Sequence, residues 1–396
     1  MSFSISQTGL SAVTEQLNSI SDNIANVGTT GFKSSRTEFG SLYAGAQAMG
    51  VSVLGKSQSM GVRGALELTG NNLDLAISGG SGLFVTRSGN GDTTYTCAGA
   101  FSKNREGVLV DASGHRLQGY PVDADWNLKV GALNDLRLQS GNLPAKATDA
   151  VTFVANLDDT KPGIVNRNFD PQDPATYSDT YTTSVYDSKG KQHALSQYFV
   201  KTDADNAWQV HYRVDGRDAG VQGLQFDMQG RLIDPMAAVD INCQLDGAAP
   251  LRIAMDYQRS TQSASGFVVS ANDASGYAAG ENTGVSIEKD GKVYATFSNG
   301  ERLLQGQVAL ASFADANSLK NEDATRWSAT GESGKPLIGA PGTGLLGELR
   351  SGALEKSNVD MTQQLVALME GQRNYQANSK VLSTDKELIQ VLFHAI

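Results

Sequence analysis

Proline is scarce in this chain, at 9 of 396 residues, and histidine and cysteine are scarcer, at 4 and 2. Turns must therefore be built mainly from the 43 glycines and from aspartate. Cys97 and Cys243 form no CxxC and no metal-ligand spacing, which excludes a zinc module and leaves two free thiols as the reading, with one disulfide as the alternative. His115, His193, His211 and His394 stand in no HExxH pattern, so each reads as a surface or strand residue. Positive charge is also short. The 32 Lys and Arg against 42 Asp and Glu give a formal charge of −10, which excludes the basic face that nucleic acid requires. No apolar run approaches the roughly 20 residues of a membrane helix, so no membrane insertion is expected. The start, Met-Ser-Phe-Ser-Ile-Ser, has neither a basic n-region nor an apolar h-region, so no secretory signal peptide is expected.

Catalytic patterns are missing as well. Asp123-Ala124-Asp125-Trp126-Asn127 begins like a calcium loop, but Leu128 stands where glycine is needed and Asn134 where glutamate is needed. Asp203-Ala204-Asp205-Asn206 fails in the same way, with Trp208 at the glycine position. Gly79-Gly80-Ser81-Gly82 is not GxGxxG, and no GxSxG elbow occurs. No enzyme activity, cofactor or metal is expected.

What the chain has is a seven-residue apolar repeat at each end. Phe3, Leu10, Leu17 and Ile24 recur with that step, and Val13, Ile20 and Val27 fill a second seam position. At the other end Met361, Leu368, Tyr375, Leu382, Ile389 and Ile396 repeat, with Leu365 and Phe393 also on the apolar side. Gln372, Ser379 and Lys386 read as that helix's second seam position. Such repeats put a narrow stripe on one side of a helix that supercoils against a partner. A half-polar seam suits contacts with several neighbours better than a tight dimer. The two stripes point to a chain that completes its fold against copies of itself.

The expected fold is α+β and mainly β, with two β-rich domains, one discontinuous and one inserted, and heptad helices at both ends that pair on assembly. Residues 1–30 read as an assembly helix and 31–70 as a Gly-rich extended spacer. Residues 71–145 form the first half of an inner β domain, 146–280 an inserted outer β domain, and 281–357 the returning half. In the insert, 17 Asp and no Glu signal strands joined by tight turns, since a short carboxylate competes for nearby backbone N–H groups. Residues 337–352 are Gly-rich and read as irregular. Residues 358–396 form the last helix, capped by Ser357, Asn358 or Asp360.

Ser21-Asp22-Asn23-Ile24-Ala25-Asn26-Val27-Gly28-Thr29-Thr30-Gly31-Phe32-Lys33 resembles the N-terminal signature of bacterial flagellar rod and hook proteins. Ser357-Asn358-Val359-Asp360, with Gln372-Arg373-Asn374-Tyr375-Gln376-Ala377-Asn378, is similar to their C-terminal signature. Gly82-Leu83-Phe84-Val85, Gly99-Ala100-Phe101 and Gly119-Tyr120 resemble the β-domain motif of the same axial family, from which Cys97 departs where a basic residue is usual. The insert and the stretches 324–328 and 347–354 look most like the hook-forming members. A distal rod protein would lack the insert, and an extracellular β-rich adhesin with a platform of Trp208, Tyr212 and Tyr198 is the alternative from another class.

The resemblance implies a structural subunit that polymerises into a curved tube, a universal joint passing motor torque from rod to filament. It places the terminal helices on the inner wall, the two-part β domain in a middle layer and the insert outermost. It further implies distal rod, hook cap, hook–filament junction proteins and the flagellar export apparatus as partners. The location implied is extracellular, reached without a cleaved signal peptide.

Overall fold

The computed structural model describes residues 2–44, 47–124, 126–139, 141–164, 168–245, 247–323 and 325–394. Asp125 of the failed calcium loop, Ala324 of the hook-like stretch and Ile396 of the last heptad lie outside them, as does the side chain of Phe393. The chain folds as two compact units. One comprises Met1–Ser140, Gly284–Thr296 and Arg302–Ile396, the other Gly141–Thr283 and Phe297–Glu301.

The first unit begins with α1 (Ser2–Ala25) and ends with α2 (Met361–His394). Asp360 caps α2, its Oδ1 accepting from the Gln363 N–H at 3.1 Å. The helices run antiparallel. Gly9 lies against Asn378 and Leu17 against Gly371, and Asn23 reaches Gln364. The pairing expected to accompany assembly is thus already present within one chain. Gly371 is buried, and a Cβ there would sit 2.7 Å from Leu17 Cδ2, so its missing side chain sets how closely the helices approach.

Gln364, Gly371 and Asn378 recur every seven residues and form the inner edge of α2. The second seam position expected on that helix, Gln372, Ser379 and Lys386, does not meet α1. Gln372, Ser379 and Lys386 are exposed, because the edge that meets α1 lies one residue earlier and is made of small and amide side chains rather than apolar ones. With Gly9 opposite Asn378, Ser2 falls opposite about position 385. Residues 386–394 therefore project past α1 by roughly 14 Å at 1.5 Å per residue.

A β-hairpin follows α1, with β1 (Ser35–Ala44) and β2 (Gln47–Gln58) paired antiparallel from Ser35↔Gln58 to Ala44↔Gln47. The extended spacer expected over 31–70 is therefore wrong. Glycines 40, 50 and 55 sit inside the paired strands, where they blur the alternation that would have marked them, and bulges at Glu38/Phe39 and Leu42/Tyr43 break it further. The hairpin packs on α1 through hydroxyls, with Ser19 Oγ 2.9 Å from Thr37 Oγ1 and both groups buried. Beyond it, β3 (Leu66–Leu68) and β4 (Leu75–Ser78) pair antiparallel with the returning strands Ala353–Glu355 and Glu348–Ser351. The stretch 337–352 is also more ordered than expected, since it holds Glu348–Ser351 and the strand Leu337–Gly339. Leu75, Phe84, Leu109, Leu117, Val308 and Leu310 form a core beneath the large sheet of this unit.

The second unit contains two five-stranded sheets. One is an antiparallel meander of Asp179–Tyr186, Gln192–Lys201, Ala207–Val214, Arg217–Phe226 and Leu232–Asp234. The other centres on Ala150–Asp158. Alternation places Trp208, Val210, Tyr212 and Val214 inside, where they share one core with Val151, Phe153, Ala155 and Leu157 of the facing sheet. Trp208 and Tyr212 are each 1% exposed, so two of the three aromatics of the adhesin reading's sugar platform are core residues, and only Tyr198 is half-buried. Trp208 Nε1 donates to Gln262 Oε1 at 2.8 Å. His193, expected as a surface or strand residue, lies on a strand but is buried, with Nδ1 2.6 Å from Asp215 and Nε2 3.3 Å from Asp187.

Phe153 has no exposure and touches the rings of Tyr181, Phe199 and Tyr257. Phe153→Ala should destabilise this unit by about 3–5 kcal/mol, read as a lowered urea midpoint with the helical signal of the first unit retained.

Candidate assembly interface

The signature residues near residue 30 meet those near residue 358 at one junction. Gly31 has φ +74°, and a Cβ there would lie 2.4 Å from the Ala98 amide nitrogen, so glycine is required on both counts. Its N–H donates to the Glu355 carbonyl at 2.8 Å. Phe32 is buried beside it. Lys33 is buried with its Nζ 2.6 Å from Glu355 Oε1 and 2.8 Å from the Val62 carbonyl. Arg63 Nη1 lies 3.0 Å from Glu355 Oε2, and the Gly64 N–H donates to Oε1 at 2.9 Å. One carboxylate thus holds two cations and a backbone amide. That coordination is what makes a charge tolerable at 1% exposure.

Two asparagines extend the junction. Asn23 Oδ1 accepts from the Ser35 N–H at 2.9 Å, while its Nδ2 donates to the Ser35 carbonyl at 2.8 Å and to Gln364 Oε1 at 3.1 Å. It locks α1, the start of β1 and α2 together. Asn358 Oδ1 accepts from the Ser34 N–H at 2.7 Å, and its Nδ2 donates to the Ser59 and Val62 carbonyls at 3.0 Å each. Asn26 acts locally, bonding back to Asp22 and accepting from Thr29. Cys97 lies next to this junction, 4.0 Å from Arg63 Nη1. Burial pushes its thiol up to about 11, and the nearby Lys33 and Arg63 lower it without cancelling that effect. Cys97 and Cys243 are both free and buried.

The apolar repeats divide differently. On α1, Val13 and Ile20 are buried, Leu10, Leu17 and Ile24 are half-buried, and Phe3 is exposed; Val27 is half-buried in the turn beyond the helix. On α2, Leu368 and Leu382 are half-buried, whereas Met361, Leu365, Tyr375 and Ile389 are exposed. Val366, Met369, Val381, Leu388 and Val391 are exposed too. Gln372 and Arg373 stand on this open side, and Asn378 sits at the edge facing Gly9. Sequence reasoning missed Glu355 and Arg63. Neither is marked locally, since Glu355 lies 322 residues from the lysine it neutralises. Among the described residues no group of His, Cys, Asp or Glu could hold a metal ion.

A discontinuous β unit closed by its own terminal helices, with a second β unit in between, is the build of a flagellar axial protein. Four family models match along the chain. They are the flagella basal body rod protein at 3–33, the flagellar hook protein FlgE/F/G D1 domain at 76–152, the flagellar basal body protein FlaE D2 domain at 156–277 and the flagellar basal body rod FlgEFG protein C-terminal at 350–393. The flagellar hook protein FlgE of Escherichia coli (strain K12) is 35% identical, over 99% of this chain and 99% of its own. The flagellar hook protein FlgE of Rhizobium meliloti is 34% identical, over 97% and 96%. The crystal structure of Helicobacter pylori flagellar hook protein FlgE2 shares the fold with a TM-score of 0.56 at 13% identity, covering 73% of this chain and 100% of that one. The chain belongs to the flagellar hook protein FlgE family.

Removing one partner of a buried ion pair strands the other charge. Lys33→Met should therefore cost about 3–5 kcal/mol, measured as the shift in chemical unfolding. Cys97 should resist a thiol–disulfide reagent at pH 8 in the folded protein and react at once after unfolding, because a protonated buried thiol is neither nucleophilic nor accessible.

Proposed function

We propose that this chain polymerises into the flagellar hook through its helical ends, and that the overhang of α2 starts the contact. The observation that carries the reading is the bare apolar surface there. Leu388, Ile389 and Val391 are 61%, 49% and 65% exposed on a stretch of helix that lies past Ser2, the first described residue of α1. Met361, Leu365, Tyr375 and Phe3 continue the open apolar surface. On this reading Leu10, Val13, Leu17, Ile20, Ile24 and Val27 hold α1 in place within the subunit. Leu368, Leu382, Ile389 and Phe393 join the wall that neighbouring copies complete. Burial at roughly 25 cal/mol per Å² of apolar surface, spread over many subunits, gives a wall that resists twisting.

The role is structural, with no catalysis. The subunit would work outside the cell after passage through the flagellar export apparatus without a cleaved signal peptide. In the hook it would adjoin the distal rod, the hook cap and the hook–filament junction proteins. Torque passes through the helical wall. The aspartate-rich insert supplies polar, wet contacts that reform as the bent tube rotates.

Electron microscopy of the full-length chain under polymerising salt should reveal curved tubes. Leu388→Asp with Ile389→Asp should abolish them while both β units stay folded by circular dichroism, as should Tyr375→Asp. Tubes of normal yield from these variants would sink the reading. Removing residues 146–280 should leave tubes of altered curvature; complete loss of polymer would instead make the insert part of the wall.

A further inference from the structure

The histidines differ in what faces their ring nitrogens. His115 meets Asp111 and Arg326, and His211 stacks on the Phe169 ring at 4.1 Å. His193 has a carboxylate at each nitrogen. Its Nδ1 lies 2.6 Å from Asp215 Oδ2 and its Nε2 lies 3.3 Å from Asp187 Oδ2, with the ring 6% exposed. Burial acts to raise both carboxyls, but backbone amides together with His193 outweigh it and hold both below the usual carboxylate range. Both acids are therefore ionised at neutral pH. A neutral imidazole donates one hydrogen bond and accepts one, and only the imidazolium donates two. Between these two carboxylates a neutral ring would turn a lone pair toward a negative charge. The geometry calls for an N–H on both sides.

Each carboxylate shapes a hairpin turn. Asp187 Oδ1 accepts from the Lys189 and Lys191 N–H groups at 2.8 and 2.9 Å. Asp215, at φ +50°, opens the other turn, and its Oδ1 accepts from the Ala194 N–H at 3.0 Å. His193 thus staples two turns of one sheet together. The first of them packs on the root of the unit, where the chain enters and leaves. There Leu143 and Gly280 exchange backbone hydrogen bonds at 2.8 and 3.0 Å, and Lys146 and Tyr277 do so at 3.0 Å each. A Cβ on Gly190 would sit 2.7 Å from Ala145 Cβ and 3.5 Å from Ala278 Cα, so turn and root are in direct contact. Thr148 adds a link, its N–H donating to the Tyr186 carbonyl at 2.9 Å and its Oγ1 accepting from the Tyr186 N–H at 2.8 Å. The other charged and titratable groups around the ring are few. Lys189 is held by the Gly247 carbonyl, and Lys191 and Arg217 are exposed beside the two turns. The Cys243 thiol comes from the facing sheet, and burial pushes it up and keeps it neutral.

We propose that His193 is a doubly protonated staple that holds the root of the second unit closed and loosens it on losing a proton. It is a positioning residue, acting through Asp187 and Asp215, and the inference is independent of the polymer reading above. The signs on the two sides of neutrality differ. The carboxyls are depressed, so their contribution is present above the usual carboxylate range and is lost as the pH falls through the depressed values. On the alkaline side the ring gives up one proton, a carboxylate is left facing a lone pair, and the root amides open more often. Because the ring is buried, salt screens the cluster little.

The test uses the full-length chain with isotope-labelled histidine, followed by NMR from about pH 5 to about pH 9. Amide hydrogen exchange at Leu143, Lys146, Tyr277 and Gly280 is read alongside it, corrected for the intrinsic rate at each pH. Both nitrogens of His193 should carry protons at neutral pH, and protection of the four amides should fall roughly tenfold as the ring loses one. Asp215→Asn changes a side chain that is 47% exposed and keeps an acceptor for the Ala194 N–H, so it should fold and move that step to lower pH. His193→Gln should show low protection at the root with no pH step. A ring that is neutral at neutral pH overturns the proposal, as does an Asp215→Asn chain that titrates and exchanges like the wild type. A folded His193→Gln chain with wild-type protection overturns it too, and if that variant does not fold, Asp215→Asn decides alone.

Discussion

The carboxylate of Glu355 is the point on which the first unit depends. It sits at 1% exposure, held by Lys33, Arg63 and the Gly64 amide. A buried charge is stable only while fully paired, so three separate stretches of chain must arrive together before any of them is comfortable. The stretch at Lys33 follows α1, the stretch at Arg63 follows the hairpin, and Glu355 ends the last strand before α2. The polar amides of Asn23 and Asn358 repeat the same logic around it, each pairing with backbone groups that would otherwise be orphaned. The result is a junction whose geometry is fixed by hydrogen bonds, with the weaker apolar contacts of the helices arranged on top of it.

That arrangement separates two jobs that a hook subunit must do. The inner edge of α2 is made of Gln364, Gly371 and Asn378, which fix distance and register against α1 and bury little apolar surface. Most of the large apolar side chains of α2 are left outward. A helix that spent its hydrophobic face on its own subunit would have nothing left to offer a neighbour. Here the intrachain pairing is specified by small and polar residues, and the apolar surface remains exposed.

Much of this was legible in the sequence, and the exceptions have physical reasons. The helical ends, the strands around Leu83–Arg87 and Ala207–Val214 and the turn-rich insert all followed from periodicity and residue type, because each is specified locally. The β1–β2 hairpin was hidden, since its strands are diluted by glycine and serine and its order comes from lying on α1. The edge of α2 that meets α1 was not visible, because a search for apolar repeats passes over an edge made of glycine and amides. Lys33 entered through resemblance alone, and its partner Glu355 was invisible, as a contact spanning 322 residues leaves no trace in local spacing.

That span has a consequence for the order of events when the chain is made. Three of the contacts that hold the first sixty or so residues in place, those of the Glu355 carboxylate, the Asn358 amide and the inner edge of α2, come from the last forty or so, while Trp327 holds Gln58 and the core around Leu83 and Val85 holds Met60. As the chain emerges from its N-terminus, α1 and the hairpin have only each other to settle against, whereas the second unit can close its own core as soon as residue 301 has appeared. The beginning of the molecule is therefore obliged to wait for its end, and the subunit becomes whole in a single late step.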